Sequence, residues 1–401
     1  MSEITSLKTD DGLCVQLTRH LDSPDPVRKP VLLLHGASAG ANTFTTGEGG
    51  GLADWLDAQN FDPWFLDWRG SGRLITDQVN EKSLIGSSSS FNFNAAAEHD
   101  VTAALNEIHS RSGSPITVVG FCMGSGILAE TIARGCLKRD GPGPRVDCVV
   151  LMTLGLFYET PMDGRLKSEE RILERLKGTQ VSGKPFVAID PRVESEKEGV
   201  FTLEKQWPDA LEEMYGAWPG RLRSHAENKR PAVHEMCNRL GFLYGTPYYH
   251  RNLVDQIHGL NGSSALLPTR FGAIPVDMFI HAARNVRRGR ATVYDPTRSL
   301  LTDKQLVSED ARRRFDDLEK VTLITGDLNQ LWHRNSIDYM YEWLRRGSSG
   351  ERFQKHVIPG YGHQDLLWGK NAVKDVYETI GRGLTPSGTL PFAGADSAGT
   401  Y

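Results

Sequence analysis

The residues best suited to chemistry lie in one stretch, Gly120-Phe121-Cys122-Met123-Gly124-Ser125. Residues 116–119 before it are apolar and β-branched, which reads as a buried strand, and residues 125–133 after it have the apolar spacing of a helix. A strand thus turns sharply into a helix around one cysteine, with a glycine two residues before it and another two after. That is the pattern of a nucleophile elbow, with cysteine in the usual place of serine. The glycines suit a turn this tight, where the helix must pass close to neighbouring strands. At the helix N-terminus the dipole and the unsatisfied N–H groups favour a thiolate at Cys122. A lone cysteine is as often a buried structural residue, but the two glycines, the strand and the helix together favour a nucleophile.

A cysteine nucleophile needs a base, a group that orients the base, and donors for an oxyanion. At elbow sites the chain order is nucleophile, then acid or amide, then histidine. His363, in Pro359-Gly360-Tyr361-Gly362-His363, follows the last expected strand and is the expected base. Gly326-Asp327-Leu328-Asn329 follows the strand before it and offers two candidates for the third member. Asn329 is favoured over Asp327, because an amide suffices where thiolate and imidazolium already balance charge. Whichever of the two does not orient the base reads as a turn residue that caps the loop. The oxyanion donors are expected to be the backbone N–H of Met123 and one from the loop after His35-Gly36, either Ala37 or Ser38. His281 and His333 are further candidates for a pocket. The Trp residues at 64, 68, 332 and 368 read as core, with one or two lining an apolar acyl pocket.

These residues need a sheet to hold them. Residues 31–34 are fully apolar, as in a parallel sheet covered on both faces. Similar runs at 64–68, 116–119, 146–152, 321–325 and 355–358 alternate with helical stretches at 52–59, 95–110, 125–133, 336–345 and 372–380. This alternation predicts an α/β fold, a mostly parallel sheet flanked by helices, with an edge hairpin in residues 1–30. Residues 81–95 read as a surface loop. Between 155 and 318 the alternation stops, and stretches such as 168–176 and 209–214 read as amphipathic helices. The expected organisation is therefore a core of 1–154 and 319–384, a helical cap inserted at 155–318, and a flexible tail at 385–401.

Composition narrows the function classes. The chain has 401 residues and a formal net charge of −4, which suggests no general affinity for nucleic acid. Five scattered cysteines without a CxxC pair fit a reducing, cytoplasmic setting. No signal sequence is visible at the N-terminus, and the longest apolar run is too short to span a bilayer. No dinucleotide or P-loop motif occurs, and His234-Glu235-Met236-Cys237 lacks a second ligand pair for zinc, so no cofactor and no metal are expected. The Asp67–Arg69 turn is expected to be an ion pair that fixes its loop.

Several stretches resemble the α/β-hydrolase superfamily: Pro30-Val31-Leu32-Leu33-Leu34-His35-Gly36-Ala37, Phe61-Asp62-Pro63-Trp64-Phe65-Leu66-Asp67-Trp68-Arg69, Cys122-Met123-Gly124-Ser125 and His356-Val357-Ile358-Pro359-Gly360-Tyr361-Gly362-His363. Together with Phe242-Leu243-Tyr244-Gly245 and Asn329 they are most similar to the hydrolase-like domain that accompanies some cholesterol-oxidase-like flavoproteins of the glucose–methanol–choline class. Those domains also carry cysteine at the elbow. The flavin-binding part is absent here, so the resemblance implies no oxidase activity. Polyhydroxyalkanoate synthases and dienelactone hydrolases likewise place cysteine in such an elbow.

Cysteine in place of serine restricts the substrate. A thiol has a pKa of about 8.5, whereas water, a stand-in for an alcohol, is at about 15.7. From a tetrahedral intermediate on an oxoester the enzyme thiolate therefore leaves first and the reaction reverses. A thioester, enol ester or strained lactone commits forward. The expected substrate is a small-molecule or carrier-bound acyl thioester or activated ester. The expected activity is an acyl hydrolase; the alternatives are an acyltransferase or cyclase with the same triad, and a non-catalytic ligand-binding scaffold.

Overall fold

Ile116–Phe121 and Val146–Met152 are apolar throughout and buried throughout, which is what a strand in the middle of a two-faced parallel sheet requires. The computed structural model describes residues 2–20, 28–46, 51–75, 91–137, 144–172, 174, 186–188, 200–202, 270–295, 297, 304–347 and 350–386. In chain order the main strands are β1 (Ser2–Lys8), β2 (Cys14–His20), β3 (Lys29–Leu34), β4 (Phe61–Asp67), β5 (Ile116–Phe121) and β6 (Val146–Met152). A small sheet of β7 (Phe186–Ala188), β8 (Val200–Thr202) and β9 (Ile274–Pro275) follows, and then β10 (Lys320–Gly326) and β11 (Phe353–Ile358). The main sheet has eight strands in the order β1-β2-β4-β3-β5-β6-β10-β11. The β1–β2 hairpin and the β2–β4 pair are antiparallel, and every pair from β4 to β11 is parallel. The expected α/β architecture with an N-terminal edge hairpin is the observed one.

The helices are α1 (Gly51–Ala58), α2 (Val101–Ser112), α3 (Met123–Ala133), α4 (Met162–Glu169), α5 (Val276–Arg288), α6 (Glu309–Phe315), α7 (Asn335–Arg345) and α8 (Glu378–Gly383). Every residue of α3 is buried, so it is the central helix of its layer. Two boundaries differ from the sequence reading. Residues 91–95, expected as the end of a surface loop, begin the α2 segment. There the Asn92 side chain accepts from the Ala95 N–H at 3.0 Å, and Phe91 and Phe93 are buried. Helix α6 falls inside the stretch expected as an insertion, yet it packs on α3 and α7, with Phe315 edge-on to Trp343 at 5.8 Å. Its apolar residues cover the sheet's helical layer. The stretch at 209–214, the 234–237 motif, the 242–245 stretch and the chain after 386 lie outside the described residues.

One buried ion cluster ties the N-terminal edge to the sheet. Arg69, at the exit of β4, contacts Asp100 at 2.7 Å and Asp11 at 2.7 Å. Its backbone N–H also donates to Asp100 Oδ2 at 2.8 Å. The expected partner Asp67 is not its partner: Asp67 turns instead to the loop after β3.

Candidate active site

Between β5 and α3, Cys122 has φ +57° and ψ −124°, a left-handed-side conformation that costs a non-glycine residue strain. Its N–H donates to the Met152 carbonyl at 3.1 Å, and its own carbonyl accepts from Ser125 and Gly126 at 3.0 and 3.2 Å. The flanking glycines answer to contact distances. A Cβ on Gly120 would stand 2.5 Å from Ser125 Cα, and one on Gly124 would stand 2.3 Å from the Leu34 carbonyl oxygen. Neither contact can be relieved without moving backbone.

The Cys122 sulfur faces the backbone N–H groups of Met123 and Ala37 and the indole of Trp332, and each of these favours the thiolate. Burial outweighs them and pushes the thiol up to about 12. The thiolate expected from the helix end is thus overridden by desolvation, and Cys122 rests as a neutral thiol. Ser38, the other candidate donor, sends its N–H to the Gly70 carbonyl at 3.2 Å.

The loop that carries Ala37 is held from below. Asp67 Oδ1 accepts from the Ala41 N–H at 2.9 Å and from the Ser71 hydroxyl at 2.7 Å, and lies 3.5 Å from His35 Nε2. The His35 ring stacks on Trp68 at 5.4 Å, and the Trp68 indole N–H donates to the His35 carbonyl at 3.1 Å. A Cβ on Gly36 would come within 3.0 Å of Cys122 Cβ, so this glycine lets the loop approach Cys122.

His363 is fully buried, and its ring sits 5.0 Å from that of Phe121, the neighbour of Cys122. Burial pulls its imidazole down to about 3, so it too is neutral. The His363 loop is fastened to the loop after β10: the Leu328 N–H donates to the Tyr361 carbonyl at 3.0 Å, and the Gly360 N–H donates to Asp327 Oδ1 at 2.7 Å. Asp327 is exposed, and its carboxylate serves this fastening. Asn329 is buried; its Oδ1 accepts from the N–H groups of Leu331 and Trp332 at 3.1 and 3.2 Å. Its Nδ2 has no hydrogen-bond partner among the described residues. Both candidates for the third member therefore hold turns, but only Asn329 does so from the interior.

Above the elbow opens a cleft. Cys122, Ala37 and Met123 form part of its lining, with Leu331 and Trp332 beside them. Helix α5 contributes Met278, Phe279, Ala282, Ala283 and Val286, and helix α4 contributes Asp163, Gly164, Lys167 and Ser168. The two helices are joined where the Ser168 hydroxyl donates to the Ala283 carbonyl at 2.6 Å. Its lining is mostly apolar with a few polar groups, the character of a small-molecule site.

A family model for the alpha/beta hydrolase family matches residues 31–378. The chain belongs to the α/β-hydrolase family. No curated protein sequence matches it. Among solved structures, it is similar to a thermostable carboxyl esterase from Bacillus coagulans in complex with glycerol, at 12% identity and a TM-score of 0.55, with 96% of this chain and 99% of that one covered. It is also similar to a lipase in its open form (12%, TM-score 0.52, 96% and 100% covered) and to DcsB in complex with its substrate analogue (15%, TM-score 0.50, 96% and 98% covered). At such identities the likeness is one of fold.

In this α/β-hydrolase the other two candidate histidines lie elsewhere. His281 is packed between Phe93 and Tyr294, with ring distances of 4.9 Å to each, and His333 caps the start of α7. Neither lines the cleft, although both were candidates for a pocket. Trp332, one of the tryptophans expected as core or as a wall of an apolar pocket, lines the cleft, and Asn329 Oδ1 accepts from its backbone N–H at 3.2 Å. Among the described residues there is no group of three or more potential metal ligands, and no helix is long and apolar enough to cross a membrane.

Proposed function

We propose that this α/β-hydrolase is a cysteine-dependent acyl hydrolase, acting on thioesters or comparably activated esters through an acyl-cysteine intermediate. Cys122 is the nucleophile, His363 the general base and acid, and Asn329 the group that orients it; Met123 and Ala37 supply the oxyanion N–H groups. The observation that carries this reading is the strained elbow, which turns the Cys122 sulfur toward two backbone donors at the floor of an apolar cleft. The resemblance to hydrolase-like domains with cysteine at the elbow points the same way.

Because both groups rest neutral, His363 takes the thiol proton as the sulfur attacks the carbonyl, rather than beforehand. Charge develops on the substrate oxygen, where the N–H groups of Met123 and Ala37 can stabilise it. Collapse of the intermediate expels the weaker base. A free thiol of pKa about 8.5 leaves ahead of a buried Cys122 thiolate, and an alkoxide does not. This selects thioesters. His363 then gives its proton to the leaving group and activates water against the acyl-cysteine. The apolar walls limit water, so an alcohol or amine that enters the cleft competes for the acyl group, and transfer is the second reading. Intact-mass measurement of a fast-quenched sample with a panel of acyl thioesters tests the scheme. An acyl adduct on Cys122 is expected, and Cys122→Ala should lose both the adduct and at least about 10³-fold in turnover. Turnover that survives Cys122→Ala would reject it. With an added amine or alcohol, formation of free acid alone would reject transfer.

A further inference from the structure

Trp64, Trp68 and Trp368 are buried, and the indole N–H of each donates to a protein acceptor: Asp62 Oδ2 at 2.9 Å, the His35 carbonyl at 3.1 Å and the Thr43 carbonyl at 2.9 Å. Trp332 is only 6% exposed, yet its Nε1 is buried and has no hydrogen-bond partner among the described residues. A buried indole N–H ordinarily finds an acceptor. This indole is also firmly held. Asn329 fixes the Trp332 backbone N–H, the ring meets Tyr158 edge-on at 5.4 Å, and the next N–H, that of His333, donates to the Glu159 carbonyl at 2.8 Å. Trp332 lines the cleft beside Cys122 and turns its indole toward that sulfur. A thiol sulfur is a weak acceptor, so at rest the N–H stands ready without an acceptor of matching strength.

The strand order gives the side from which this donor acts. β3, which leads to Ala37, lies next to β5 on one side; β10, which leads to Trp332, lies on the other, with β11, which leads to His363, beyond it. Met123 and Ala37 thus belong to the elbow and the β3 side, and Trp332 to the side of the general base. In the tetrahedral intermediate one carbon holds the Cys122 sulfur, the oxyanion, the acyl chain and the leaving sulfur. With the oxyanion on Met123 and Ala37, the leaving sulfur falls on the His363 side, where it must take its proton. We propose that Trp332 is a catalytic residue whose indole N–H donates to the sulfur of the departing thiol. This rests on the reading of Cys122 given above. As the bond from the carbonyl carbon to that sulfur breaks, the electron pair stays on the sulfur, and the proton that His363 took from Cys122 passes to it. A thioester sulfur accepts weakly and a thiolate strongly, so the hydrogen bond strengthens only as the bond breaks, and such a gain lowers the barrier.

The test uses octanoyl thioesters of N-acetylcysteamine, thiophenol and 4-nitrothiophenol, whose thiolates are successively weaker bases. Their kcat/KM reports the steps up to release of the thiol. A weaker base needs less help to leave. The ratio of kcat/KM for the 4-nitrothiophenyl ester to that for the N-acetylcysteamine ester should therefore be about tenfold higher in Trp332→Phe than in wild type, with the thiophenyl ester in between. Being a ratio, it does not depend on what fraction of the variant folds. If none folds, benzothienylalanine placed at position 332, which keeps the bicyclic shape and has sulfur in place of N–H, should give the same rise. A ratio within about twofold of wild type overturns the proposal whatever happens to turnover, since a uniform loss would make Trp332 a structural residue or a third oxyanion donor. If the wild type releases thiol from none of the three esters, or Cys122→Ala still releases it, the Cys122 reading fails and this one falls with it. An acyl adduct on Cys122 together with an unchanged ratio sinks the role of Trp332 alone.

Discussion

The His363 ring lies 5.0 Å from the ring of Phe121, the residue directly before Cys122. The two arrive from distant parts of the chain: Phe121 ends β5, and His363 sits in the loop after β11. Their contact is made possible by the fastening of the His363 loop to the loop after β10, through Tyr361 and Asp327. It also seals the imidazole from solvent, and this governs its protonation.

A neutral resting thiol gives a pH signature. With Cys122 pushed up to about 12, its alkylation by iodoacetamide should rise about tenfold per pH unit from 6 to 9, without a plateau. Mass spectrometry of the Cys122 peptide over that range checks it. A plateau below pH 7 would mean that thiolate and imidazolium coexist, contrary to the burial described.

Acid should destabilise the protein through its buried histidines. His363 and His281 are both lowered to about 3, against 6.5 for an ordinary imidazole. Between those values the unfolded chain binds protons that the folded one does not, so stability rises with pH across the window and is lost as pH falls from 6.5 toward 3. Above pH 6.5 the two contribute no slope. Urea midpoints at pH 4, 5 and 7 measure this, and His363→Gln should reduce the proton uptake on unfolding by about one.

Asn329 and Asp327 are separable by mutation. Replacing buried Asn329 by Ala removes the acceptor for Leu331 and Trp332 and should lower kcat by about 10²-fold or more, with a smaller change in KM. Asn329→Asp keeps that acceptor and should retain activity within about tenfold. Asp327→Ala, at an exposed site, should cost less than about tenfold. Steady-state kinetics on one thioester decide. If Asp327→Ala proves the more damaging, the assignment reverses.

The Arg69 cluster is the strongest stability prediction. Asp100 is fully buried, and Arg69 is its counter-charge at 2.7 Å. Arg69→Met strands that carboxylate and should cost about 3–5 kcal/mol by urea denaturation at pH 7. Adding Asp100→Leu should restore much of the loss, because an apolar pair needs no counter-charge. No recovery would show that the cluster matters through Asp11 and the hairpin rather than through Asp100.

Much of the fold was legible because its signals are local. The apolar runs of β3, β5, β6 and β10 declare strands covered on both faces, and the elbow glycines declare a tight turn. What escaped depends on contacts between distant residues. Arg69 reads with its neighbour Asp67, but its partner is Asp100, remote in sequence and brought close only by the tertiary fold. The charge state of Cys122 reads from the helix end beneath it as a local effect, whereas burial in the folded protein governs it.

The strand order carries a metric consequence. Between β5, which leads to Cys122, and β10, which leads to Asn329, lies one strand, and β11, which leads to His363, is one strand further. At about 4.8 Å per strand these anchors are spread over roughly 10–14 Å of sheet edge. The loops after β10 and β11 must therefore lean back across β6 to bring their side chains toward the sulfur. The sheet thus works as a ruler. Shortening either loop by a single residue would pull its side chain back toward its own strand, while extra residues placed on the solvent side of Gly360 would leave that span untouched.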